Sequence, residues 1–152
     1  MEEPEIAASG PRLDARLERV IALGDSPARE PRFSRDGSLL ALTSAGGAIH
    51  VLRTSDWKPV RRVEHPGGAT SAVFTPDGQR LFTSGYDGMV RSFDLATGAP
   101  GAAIEASEVP IWTLDISPDG KQLAIGDEKG VARVWSFAGQ SRAPENAAWS
   151  WP

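Results

Sequence analysis

The sequence contains no cysteine and only two histidines among its 152 residues. Without cysteine, the chain cannot form a disulfide bond, a catalytic thiolate or a cysteine zinc site. The two histidines, His50 and His65, have no partner at the i, i+4 spacing of a helical zinc site. We therefore expect neither a metal nor any other cofactor.

Signature motifs of catalysis are missing as well. No serine lies in a G-x-S-x-G nucleophile elbow, and no G-x-x-x-x-G-K-[ST] loop is present to hold nucleotide phosphates. A general acid and base would have to face each other across one cleft, whereas Asp36, Asp77 and Asp119 belong to separate turns. The sequence therefore favours a protein that is not an enzyme.

Strong positive charge and long apolar runs are absent too. The net charge of −4 provides no basic surface for a nucleic-acid backbone. No run approaches the roughly 18 apolar residues of a membrane span. Residues 1–12 are acidic, contain proline and glycine, and lack the apolar core of a secretory signal. We expect a flexible N-terminal arm over 1–12, no nucleic-acid partner, no membrane association and a cytoplasmic location.

What the sequence does contain is one pattern in three copies. Each copy has an Asp-Gly pair, a second glycine ten positions later, and a leucine or aromatic residue five positions after that. The copies are offset by 41 and then 42 residues. A repeat near 40 residues made of short apolar runs is typical of a β-propeller blade, which predicts an all-β fold. The pairs are Asp36-Gly37, Asp77-Gly78 and Asp119-Gly120.

Each copy predicts a four-stranded antiparallel unit. An inner strand ends at the Asp-Gly turn, where glycine reaches positive φ without strain and aspartate bonds the turn backbone. The second strands, 39–43, 80–84 and 122–126, are apolar on both faces, as expected for sheets that lie between other sheets. The repeat register predicts units at about 24–64, 65–105 and 107–136, an extra outer strand at 17–23 and a C-terminal tail at 137–152.

Between Leu17 and Ser136 the chain resembles the WD-repeat β-propellers. The middle copy carries the resemblance, with His65 nine residues before Phe74, Thr83 at the serine position of the family and Asp87 at its structural aspartate. The resemblance implies a structural network of His65, Thr83 and Asp87 that pins adjacent loops. Phe93 replaces the family's tryptophan and has no N–H to donate, so three members are expected.

The flanking copies depart from the family pattern. Gly24 and Ser107 stand at the histidine position, and Gly46 and Lys129 stand at the aspartate position. We therefore expect the polar network to be missing from these two units. The cations at equivalent third-strand positions, including Arg91 and Arg133, are expected to be solvated or packed by their stems.

Three units are fewer than the roughly four to eight blades that close a propeller ring. Two solutions remain open. In the first, the N-terminal strand of one copy completes the last blade of another copy, giving a closed homo-oligomer. In the second, the chain is a truncated propeller that acts as an assembly or docking subunit through its open blade ends.

For the whole chain we predict a non-enzymatic scaffold that binds protein partners. The resemblance places the outer-to-inner and second-to-third connections at one end of the blades, which we call the rim. Tyrosine, tryptophan and arginine are enriched at binding hot spots, although Trp112 is equally compatible with a core position. The candidate partner-binding residues are Tyr86, Trp112, Arg29, Glu108 and Glu128.

Overall fold

The computed structural model describes residues 10–11, 13–24 and 26–137. This part of the chain is all-β, with eleven strands and no helix. The predicted arm and tail lie mostly outside the described residues. The strands are β1 (Ala28–Phe33), β2 (Leu39–Ser44), β3 (Ala48–Arg53), β4 (Pro59–Glu64), β5 (Ala69–Phe74), β6 (Arg80–Gly85), β7 (Met89–Asp94), β8 (Pro100–Glu105), β9 (Ile111–Ile116), β10 (Gln122–Asp127) and β11 (Ala132–Ser136).

The strands form three antiparallel sheets in chain order. Blade 1 has the order β1-β2-β3-β4, blade 2 has β5-β6-β7-β8, and blade 3 has β9, β10 and β11. The inner strands β5 and β9 each follow the outer strand of the blade before, as the repeat register predicts. The WD-type blade architecture expected from the sequence is thus confirmed, with three strands in blade 3 among the described residues.

The three Asp-Gly pairs form the turns between first and second strands. The glycines have φ values of 74°, 70° and 72°, which favour glycine because a side chain is strained there. Each aspartate accepts bonds from a hydroxyl two residues before it and an N–H two residues after it. The Ser38 N–H and the Ser34 and Ser38 hydroxyls lower the pKa of Asp36 to about 2.

The core consists of two apolar layers, one on each side of blade 2. Ala41, Ile49 and Val51 of blade 1 share the first layer with Phe74 and other residues of blade 2. The second layer joins blade 2 to Ile111, Leu114, Leu123 and Ile125 of blade 3. Strand β5 is buried along its whole length because it lies against both β1 and β9. Blade 2 is therefore the centre of the structure.

The strand predicted at 17–23 is not formed in this chain. Residues 13–23 have no strand assignment, and Leu17 and Val20 are exposed. A strand requires hydrogen bonds to a neighbour, and no described strand pairs with this stretch. The apolar run alone could not reveal whether such a neighbour is present.

Candidate functional site

A buried histidine joins the connection between blades 1 and 2 to the body of blade 2. His65 directly follows β4 and is fully buried. Its Nδ1 lies 2.8 Å from Thr83 Oγ1 on β6, and its Nε2 lies 3.0 Å from Asp87 Oδ1 in the β6–β7 turn. The structure thus brings together all three residues of the network that the sequence predicted.

Arg91 is a fourth member that the sequence prediction missed. Its Nη1 donates to Asp87 Oδ2 at 2.7 Å and lies 2.7 Å from His65 Nε2. The expectation of a solvated or stem-packed cation is wrong here because Asp87 is four residues away across a tight turn. The available signal was an arginine at this position in both the second and third copies, Arg91 and Arg133.

The electrostatics of the network favour a neutral histidine beside an ionised carboxylate. Burial and, to a smaller extent, the positive charge of Arg91 lower the pKa of His65, although the neighbouring Asp87 raises it. For Asp87, burial alone would raise the pKa, but the hydrogen bonds from His65, Arg91 and the Met89 N–H lower it overall. The charged pair in this network is therefore Asp87 and Arg91.

Blade 3 builds a different network, which corrects the expectation that its polar contacts would be missing. Asp127 accepts bonds from Arg133 Nη1 and from Ser107 Oγ, the latter at 3.0 Å. Its other oxygen accepts the N–H groups of Lys129 and Val131, both at 3.0 Å. Chiefly because of Arg133, the pKa of Asp127 falls to about 2. The repeat pattern did not predict Asp127, because Asp127 lies two residues before the position of the family's structural aspartate.

Among its described residues, blade 1 has no equivalent network. Glycine occupies both aligned positions, Gly24 and Gly46, so no side chain can form it. A Cβ placed on Gly46 would lie 2.5 Å from Ser26 Oγ. For the described residues of this unit, the expectation of a missing network stands.

Three of the predicted partner-binding residues meet at the rim. Arg29 lies on β1, Tyr86 in the β6–β7 turn and Trp112 on β9, so each comes from a different blade. Arg29 Nη2 donates to the Tyr86 hydroxyl at 2.5 Å, and its guanidinium carbon lies 5.8 Å from the ring centroid. The Tyr86 and Trp112 rings meet edge to face, with centroids 5.6 Å apart. We call these three residues the rim cluster.

The position of Tyr86 depends on Gly68 and on the buried network beside it. The Tyr86 N–H donates to Gly68 O at 3.2 Å, and a Cβ on Gly68 would lie 2.6 Å from the Tyr86 ring. Asp87, the next residue, is held by His65 and Arg91. Hydrogen bonds to Gly68, His65 and Arg91 thus hold the turn that presents Tyr86.

A family model described as WD domain, G-beta repeat matches residues 57–94 and 98–136, just over half of the 152 residues. The chain belongs to the WD-repeat family. This confirms the resemblance drawn from His65, Thr83 and Asp87. In this WD-repeat chain, Phe93 leaves the network without an indole N–H, and Arg91 supplies an additional donor.

Relatives of these WD repeats occur in much longer proteins. The chain is 37% identical over 107 residues to the human U3 small nucleolar RNA-associated protein 4 homolog, covering 69% of this chain and 16% of that protein. It is 32% identical over 135 residues to Drosophila melanogaster protein groucho, covering 86% and 17%. It is 27% identical over 104 residues to the Schizosaccharomyces pombe target of rapamycin complex subunit wat1, covering 68% and 33%. The chain thus spans a third or less of each of these relatives.

Within the rim cluster of the WD repeats Trp112 is exposed, and the last two candidates, Glu108 and Glu128, lie beside the cluster. Trp112 is 45% exposed, so it lies at the surface and not in the core. Glu108 and Glu128 are exposed on the β8–β9 and β10–β11 connections, which are joined by the Glu128 N–H donating to Pro110 O at 2.9 Å. Among the described residues, no hydrogen bond or ion pair links either carboxylate to Arg29. They therefore contribute negative charge beside the cluster and do not complete it.

Two kinds of feature are absent from the described part of the WD-repeat chain. It contains no group of three or more histidine, aspartate or glutamate side chains placed to hold a metal ion. It also contains no helix with the length and apolar character needed to cross a membrane.

Proposed function

We propose that this chain is a non-enzymatic scaffold that binds a protein partner through the rim cluster. The observation that supports the proposal is the convergence of Arg29, Tyr86 and Trp112 from three blades on one partly exposed surface. Because no single blade supplies this surface, the stacking of blades assembles it. The expected cytoplasmic location and the absence of nucleic-acid or membrane partners stay predictions.

The chemistry of the cluster suits a peptide or loop of another protein. The two rings offer apolar area with few rotatable bonds, and Arg29 and the tyrosine hydroxyl offer hydrogen bonds. Glu108 and Glu128 add negative charge at its border. A partner segment with an apolar side chain flanked by lysine or arginine would satisfy both features.

The names of the relatives agree with this class of function. One relative is named as a subunit of a complex, and another, the rat serine-threonine kinase receptor-associated protein, is 28% identical over 100 residues. Because the chain covers 33% and 28% of these proteins, their partners are not assigned to it.

The test is capture of binding partners from cell extract by the purified chain and by Tyr86→Ala and Trp112→Ala. Arg53→Ala is the matched control, because Arg53 is an exposed arginine at the end of the blades opposite the rim, where it pairs with Asp56. We expect both rim variants to remain folded and to lose at least about tenfold in partner recovery. Recovery that is equal for all four proteins would contradict the proposal.

A second candidate is the truncated propeller that docks through its open blade ends. It is favoured by exposed apolar side chains at both ends of the row of blades, Phe33 on β1 and Val134 on β11. An exposed apolar sheet face is a surface that proteins normally cover.

A further inference from the structure

The polar side-chain groups of the rim cluster are hydrogen-bond donors, and its one acceptor atom is already in use. The Arg29 guanidinium and the Trp112 indole can only donate. The Tyr86 oxygen accepts a hydrogen bond from Arg29 Nη2, which leaves the O–H of Tyr86 as a donor. Among the described residues, no acceptor engages the Trp112 N–H and no carboxylate pairs with Arg29. A ligand that suits the cluster must therefore bring acceptors.

The apolar part of the cluster is a corner between two aromatic rings. The Tyr86 and Trp112 rings lie at 89° to each other. Trp112 is exposed and Tyr86 is half-buried, so part of each ring faces solvent. The Tyr86 N–H donates to Gly68 O, and the Arg29 guanidinium lies against the Tyr86 ring, so contacts on both sides hold that ring in place. A corner of this kind suits a ligand that is compact, apolar and itself stiff.

The charge around the cluster differs from one side to the other. Arg29 lies on β1 of blade 1, whereas Glu108 and Glu128 are exposed on the connections that lead to β9 and β11 of blade 3. The Glu128 N–H donates to Pro110 O, which joins these two connections. A cationic side chain of a ligand is therefore attracted at the blade 3 side and repelled at the blade 1 side.

Proline-rich polypeptide combines the properties that this surface requires. It forms a polyproline II helix, which has no internal hydrogen bonds and leaves its carbonyl groups free as acceptors. Proline has no backbone N–H, so the segment brings no donor to a surface that already consists of donors. The proline rings are compact and apolar. Because the helix is preformed, little conformational entropy is lost when it binds.

We infer that the rim cluster binds a proline-rich segment of a partner protein in the polyproline II conformation. The Trp112 N–H and the Tyr86 O–H donate to carbonyl groups of the segment, and a proline ring contacts both aromatic rings. A lysine or arginine at one end of the segment lies beside Glu108 and Glu128. The inference rests on the proposed function of the rim cluster and specifies the partner that the cluster binds.

An α-helix or an ordinary extended strand matches this surface less well. The carbonyl groups of a helix are used within the helix, so the donors of the cluster would stay unpaired. An ordinary strand presents N–H groups together with its carbonyls, and the one acceptor of the cluster, the Tyr86 oxygen, is occupied by Arg29. Donors left unpaired in an interface weaken binding. The chemistry of the cluster therefore favours a backbone that lacks N–H groups.

The test is isothermal titration calorimetry of the full chain with a blocked peptide of about nine prolines, which form about three turns of the helix, and one arginine at each end. We expect saturable binding with a dissociation constant below about 1 mM. The same peptide with alanine in place of proline should bind at least about tenfold more weakly. Trp112→Phe keeps an aromatic ring but removes the N–H, so it should weaken binding of the proline peptide about three- to tenfold.

Trp57→Phe is the matched control, because Trp57 is a partly exposed tryptophan in the β3–β4 loop, at the end of the blades opposite the rim, and should leave the affinity unchanged. Glu108→Gln combined with Glu128→Gln should weaken binding of the arginine-ended peptide about two- to fivefold and leave a glutamine-ended peptide unaffected.

Three results would each overturn the inference: no binding of the proline peptide, equal affinity for the proline and alanine peptides, or wild-type affinity in Trp112→Phe. If the proline peptide does not bind while Tyr86→Ala still loses partners from extract, this inference alone fails. Equal recovery of partners by all variants would instead contradict the proposed function itself.

Discussion

Blade 2 and blade 3 share one sequence pattern but differ in what surrounds them. Blade 2 has four strands, lies between two apolar layers and contains the His65 network. Blade 3 has three described strands, one covered face and a network centred on Asp127. The comparison shows that repeat position sets which way a residue faces, whereas the neighbouring sheet decides whether that residue is buried.

The largest expected difference is between a buried and an exposed apolar residue on the same face of the two blades. Phe82→Ala removes a ring that is buried between blades 2 and 3 and should lower the free energy of unfolding by about 3–5 kcal/mol. Val134→Ala on the exposed face should change it by less than about 0.5 kcal/mol. Urea unfolding of both variants measures this difference. Equal losses would mean that the outward face of blade 3 is covered.

The next effect concerns the network of blade 2. Asp87→Ala leaves fully buried His65 and the Arg91 guanidinium without their carboxylate, and we expect it to lower the free energy of unfolding by about 1–3 kcal/mol. Thermal and denaturant unfolding measure the loss. Asp77→Ala, in an exposed turn of the same blade, is the control for removal of an aspartate. An unchanged melting temperature for Asp87→Ala would show that the network adds no stability.

The smallest effect is a pH dependence that belongs to blade 3. The pKa of Asp127 in the folded chain is about 2, below its ordinary value of 3.8. Its ionised form therefore stabilises the fold above the unfolded pKa, and this contribution is lost as the pH falls from about 4 to about 2. Asp127→Asn should remove that part of the acid sensitivity, so its melting temperature should fall less than that of the wild type between pH 5 and pH 2. Parallel melting curves would assign the acid sensitivity to other groups.

The features that the sequence predicted are those set by local spacing. The Asp-Gly turns fix where first and second strands meet, and the alignment on Asp77 was sufficient to locate His65, Thr83 and Asp87. Spacing alone is sufficient for such contacts because each joins residues within one repeat or at its border.

The contacts that the sequence did not predict join residues at different positions of the repeat. Arg91 reaches Asp87 because a tight turn brings two strand ends together, and Asp127 replaces an aspartate that the family has two residues later. The pairing of Arg29 with Tyr86 joins residues 57 positions apart on different blades. The stretch 17–23 has the composition of a strand, but strand formation depends on a partner that composition does not reveal.

The position of His65 has a consequence for how such a chain can change in length. His65 directly follows the outer strand of blade 1, yet its side chain is hydrogen-bonded to blade 2. The 41-residue unit of the sequence therefore contains parts of two sheets. Tandem duplication or loss of one such unit would therefore add or remove whole strands. Each remaining junction between blades would keep the outer strand that precedes it. Blade number could then vary by genetic recombination while each remaining junction keeps its interlock.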